Sequence, residues 1–145
     1  MAASVEFHTG VADPVAFACR LLRKAYRSGA RVLVTAPAPL LAALDEALWT
    51  FDAQEFVPHV RVPGPAAALA PRTPLWLAAA VPAEPAPGTP PVLVNLGADA
   101  PADAGRFERV IEVVGTDADA RAGARARWRH YESWGVTPLH HGAAA

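Results

Sequence analysis

Cysteine is almost missing from this chain: Cys19 stands alone, so no internal disulfide can form and nothing points to an oxidising compartment. Charge of one sign is missing as well. Thirteen Lys and Arg against 14 Asp and Glu leave a formal net charge of -1, which excludes a general coat for nucleic acid or for an anionic membrane. Any such role has to come from a local patch. No run approaches the roughly 18 apolar residues, free of charge and proline, that a membrane-spanning helix needs. The opening residues, 1–10, carry Glu6 and His8 and have neither a basic start nor a sustained apolar core, so no secretory leader is expected and the chain reads as cytoplasmic. Only three serines occur, Ser4, Ser28 and Ser133, none in a G-x-S-x-G elbow, which disfavours a serine hydrolase. The ten glycines never fall into G-x-G-x-x-G or G-x-x-x-x-G-K-[ST], so neither common phosphate-cradling loop is present.

What is present suits one ordinary domain. The chain has 145 residues and is 52% apolar, but 34 residues are alanine, so the core rests on a smaller set of large side chains. Alternation at 5–9 predicts a short strand. Asp13-Pro14 then supplies a cap and a first helical residue, and Ala18, Leu21, Leu22 and Ala25 mark one buried helical face ending near Tyr26. The run 31–35 is apolar on both faces, as an interior parallel strand would be. Pro37 and Pro39 delay the next helix to about Leu40, after which Leu40, Leu41, Leu44, Ala47 and Leu48 form a stripe ending near Trp49. Residues 51–71 read mostly as loop. Further strands are expected at 75–81, 92–96 and 109–114, with the proline-rich 82–91 as an extended surface loop. A last helix follows, capped by Thr116, with acidic residues at its start and arginines toward its end.

Strands alternating with helices predict a single three-layer α/β domain over 1–138, Rossmann-like without a nucleotide-binding loop, with a mainly parallel sheet of about five strands and a frayed tail at 139–145. The loop after the second strand is Ala36-Pro37-Ala38-Pro39, whose prolines remove N–H groups that would bind phosphate. The five histidines are far apart or sit in the expected tail, so no metal site is expected. Cys19 lies beside the apolar stripe, where a small buried thiol is the common case. The last helix carries more information. Arg121, Arg125 and Trp128 share one face, with Arg129 adjoining. Such a face could hold a carboxylate-ended aromatic peptide or a nucleic-acid strand, or could be a solvated basic surface with Trp128 turned into the core. Trp49 and Phe56, taken singly, read as core aromatics or as pocket walls.

Three blocks then stand out in order: residues 26–34 (YRSGARVLV), 44–49 (LDEALW) and 55–59 (EFVPH). In them the chain resembles the chi subunit of bacterial DNA polymerase III holoenzyme, and the likeness runs through the last helix, weakest over 60–91. The resemblance implies a non-catalytic adaptor of the clamp loader, with no cofactor. It implies two partners, the small subunit psi and the acidic, phenylalanine-terminated C-terminal tail of single-stranded DNA-binding protein, with nucleic acid met only indirectly and no membrane. It further implies a tail pocket made of Trp49, Phe56, Val114, Arg121, Arg125 and Trp128, where Arg121 and Trp128 replace a lysine and a tyrosine of the family. In that pocket Arg125, with Arg121, would hold the terminal carboxylate, and Trp49, Phe56 and Val114 would line a slot for the phenylalanine ring. The rival readings are a direct single-strand nucleic-acid binder and a small α/β enzyme with its site at the strand ends.

Overall fold

A computed structural model describes residues 4–52, 54, 56–83 and 88–142. Strand β1 (Ser4–Val11) leads into helix α1 (Pro14–Arg27), strand β2 (Val32–Thr35) and helix α2 (Ala38–Thr50). Strands β3 (His59–Arg61), β4 (Leu75–Ala78), β5 (Val92–Asn95) and β6 (Arg109–Gly115) follow, then helix α3 (Ala118–Ser133) and strand β7 (Leu139–His141). Two short 3-10 turns, 67–72 and 104–106, lie in the connections.

The local reasons are those of the sequence, with adjustments. Asp13 caps α1 by accepting from the Ala16 N–H at 3.0 Å. Helix α2 begins two residues earlier than expected, because Pro39 falls in the first turn, where its missing N–H has no intrahelical partner to lose. The cap of α3 is Asp117 and not Thr116: its carboxylate accepts from the Ala120 N–H at 2.8 Å. The strand expected at 75–81 ends at Ala78. Residues 84–87 of the expected proline-rich loop lie outside the described residues.

The sheet has seven strands in the order β3-β4-β2-β5-β6-β1-β7, and every neighbouring pair is parallel. Helices on both faces make the three-layer α/β architecture. Two strands escape the sequence reading. Residues 59–61, expected in a loop, form the edge strand β3, and Leu139–His141, expected in a frayed tail, pair with β1 as the opposite edge. Ala143, Ala144 and Ala145 lie outside the described residues. A three-residue edge strand is too short to show a period, and its pairing comes from the neighbouring backbone.

Alternation along the strands divides the core in two. One face, with Val32, Val34, Leu77, Val94, Ile111 and Val113, packs under α1 and α2 through Leu22, Leu41, Leu44 and Leu48. The other, with Phe7, Leu33, Leu93, Val110 and Val114, packs under α3 through Ala124 and Tyr131. On this second face runs a buried polar line. Thr35, Asn95 and Glu112 are lateral neighbours on β2, β5 and β6. Thr35 Oγ1 donates to Asn95 Oδ1 at 3.0 Å, and Asn95 Nδ2 donates to Glu112 Oε2 at 3.0 Å. From α3, Arg127 Nε donates to Glu112 Oε1 and the Tyr131 hydroxyl to Oε2, both at 2.7 Å. Burial and the adjoining Glu112 charge hold the Tyr131 phenol protonated far above its ordinary range. Helix α3 is therefore pinned by apolar contact and by an ion pair.

Candidate functional site

The arrangement of α3 over β6, β1 and β7 creates a groove of about 530 Å³. Its apolar part is Phe7 of β1, Val114 of β6, and Ala124 and Trp128 of α3. Arg121, Arg125 and Arg129 stand along the helix, and Thr9 and His140 close the strand side. The geometry follows from periodicity. Phe7 and Thr9 are two residues apart on β1 and share its α3-facing side, while Arg121, Arg125 and Trp128 recur at helical spacing. Trp128 is half-buried and packs on Phe7 with ring centroids 5.0 Å apart, so its indole is at once core and groove wall. The three arginines are exposed, and among the described residues none has a carboxylate partner. Arg127, on the opposite side of the same helix, is the one committed to Glu112.

A groove with an apolar floor and unpaired guanidinium groups at its rim can chelate a carboxylate while burying a ring. Burial raises the pKa of the Cys19 thiol, with Asp13 adding to the rise against a smaller opposing effect of Arg20, so it is not poised as a thiolate nucleophile.

Four expected site residues, Val114, Arg121, Arg125 and Trp128, thus come together. Trp49 and Phe56 do not join them. They sit beyond the other edge of the sheet, on the side of α2 and β3, where their rings stack on each other at 5.2 Å with 59% and 54% exposure. Four strand spacings separate β3 from β6, about 19 Å, and α2 and α3 cover opposite faces. A slot made jointly by Trp49, Phe56 and Val114 is therefore excluded by the topology.

The two aromatics make a second, separate surface with a clear local logic. Asp45 and Trp49 are one turn apart on α2, and both meet His59 at the start of β3. His59 Nε2 lies 2.9 Å from Asp45 Oδ1, its Nδ1 lies 2.9 Å from the Val57 carbonyl oxygen, and Trp49 packs against its ring at 5.0 Å. Block 44–49 and residues 56–59 are thus two halves of one built platform, while Glu55 lies outside the described residues. Sequence reasoning misses Thr9 and His140 as groove residues, because a three-residue β7 gives no pattern of its own and only its pairing with β1 brings His140 to the groove.

Residues 2–138 match the family model described as DNA polymerase III chi subunit, HolC. The chain is 35% identical to the DNA polymerase III subunit chi of Pseudomonas aeruginosa over 128 residues, covering 86% of this chain and 84% of that protein. The chain belongs to the chi-subunit family. Membership gives it an accessory role in DNA replication as part of a polymerase complex. Among the described residues no helix is long and apolar enough to cross a membrane.

Proposed function

We propose that this chi-family chain is a non-catalytic clamp-loader adaptor that grips two partners at opposite edges of its sheet. The groove under α3 takes the acidic, phenylalanine-terminated tail of single-stranded DNA-binding protein. Arg125, with Arg121, holds the terminal carboxylate and neighbouring aspartates, and the phenylalanine ring lies against Val114 and Trp128. The observation that carries this reading is a single groove that joins an apolar floor to guanidinium groups with no carboxylate partner among the described residues. A fluorescent acidic peptide ending in phenylalanine should bind the chain saturably, weaken as salt is added, and lose binding when its phenylalanine is deleted. Equal affinity for the two peptides, or indifference to salt, would rule the assignment out.

The psi subunit, in this reading, docks on the Trp49–Phe56 platform. A linker needs two sites that can be filled together, and an exposed, stacked aromatic pair is the anchor type that protein interfaces favour. The double variant Trp49→Ala/Phe56→Ala should fail to co-purify with psi while keeping wild-type affinity for the tail peptide. Loss of peptide binding in that variant would mean that the two surfaces are not independent.

A further inference from the structure

On the α1 side of the sheet, away from the groove, the edge pairing of β7 assembles a cluster that the linear order of residues disguises. Glu6 and His8 are two residues apart on β1 and point to the same face, and the register of β1 with β7 sets His141 directly beside His8. The two imidazoles stack at 4.9 Å, with an interplanar angle of 22°. Glu6 Oε2 lies 3.4 Å from His8 Nε2 and 3.7 Å from His141 Nε2, and all three donor atoms are within 4.8 Å of one another. Arg109 holds the other carboxylate oxygen, with Nε 2.9 Å and Nη2 2.8 Å from Glu6 Oε1, which leaves Oε2 facing the histidines.

We propose that Glu6, His8 and His141 form a site for a divalent transition metal, and that the ion it suits best is Zn2+. Two imidazole nitrogens and one carboxylate oxygen are a common zinc donor set, with a fourth position left for water or an outside ligand. Donor atoms around a tetrahedral zinc stand about 3.3 Å apart, so the two spacings to Glu6 are close to their final values. Only the imidazole pair has to close in. Arg109 acts as the outer partner that orients a ligating carboxylate. His141 is exposed, so the open position faces solvent. The histidines are far apart in the sequence and His141 is expected in a tail, but the pairing of β7 with β1 sets His141 beside His8. A bound ion would fasten a three-residue edge strand to β1, and the same strand carries His140 into the groove on the opposite face.

The test is calorimetric titration of the untagged 145-residue chain with Zn2+, beside the variants His141→Ala, His8→Ala and His140→Ala. One ion per chain is expected, with affinity falling by at least about tenfold in the first two variants and held in the third. Thermal unfolding followed in parallel should show Zn2+ raising the Tm of the wild type but not of His141→Ala. Absence of saturable binding to the wild type, or equal binding by His141→Ala, would overturn the proposal. Because His141 is exposed at an edge, its replacement leaves the fold in place and the comparison valid.

Discussion

Glu112→Ala should destabilise the protein by about 3–5 kcal/mol, the cost of leaving a buried charge without its counter-ion. Glu112 is fully buried and Arg127 only 9% exposed, so the guanidinium cannot exchange its lost partner for bulk water without pulling out of α3's contact with the sheet. Asn95 and Tyr131 would each lose an acceptor in the same step. For a domain of this size the expected fall in Tm is roughly 10 °C or more. Removing both charges, as in Glu112→Leu/Arg127→Met, should recover much of the loss, because a well-packed apolar pair avoids the desolvation that the ion pair has to offset. Urea unfolding of the single and double variants measures both quantities. A loss under about 1 kcal/mol in Glu112→Ala would show that Arg127 reaches solvent by rearranging its own side chain.

Arg125→Ala should act in the opposite manner, leaving stability nearly unchanged and removing function. Arg125 is exposed and has no carboxylate partner among the described residues, so its truncation breaks no intramolecular ion pair. In the proposed groove it supplies a charge-assisted grip on the peptide carboxylate, and its loss should weaken tail binding by roughly tenfold or more. Arg125→Lys should restore only part of the affinity, because an ammonium group keeps the charge but loses the two-pronged geometry. Fluorescence titration of the three proteins, with Tm values alongside, separates a binding defect from a folding defect. Wild-type affinity in Arg125→Ala would move the carboxylate grip elsewhere along the groove.

The contrast between these two arginines, two residues apart on α3, shows what a helical stripe can and cannot disclose. Periodicity puts Arg121, Arg125 and Trp128 on one face, and the fold sets all three along the groove. The pattern does not say that Arg127 is buried. The only hint is Glu112, a lone carboxylate in a strand of Val and Ile apolar on both faces, which calls for a partner without naming it. Likewise the blocks 44–49 and 55–59 stand out in the sequence, but whether Trp49 and Phe56 face the groove depends on where β3 joins the sheet.

Local signals were enough for α1, for β2 and β5, and for the parallel α/β class, because capping, β-branched runs and helical stripes act over a few residues. They were also enough to bring forward the arginine face that lines the groove. Tertiary structure alone decided the edges. Strands β3 and β7 are three residues long and owe their form to a neighbouring backbone, and sheet order sets which distant side chains meet. That order separates the aromatic platform from the groove, seats Glu112 beneath Arg127, and brings His141 beside His8. His8 and His141 lie more than a hundred residues apart, Glu112 and Arg127 on different elements, and such contacts leave no period within either segment, so only the folded chain contains them.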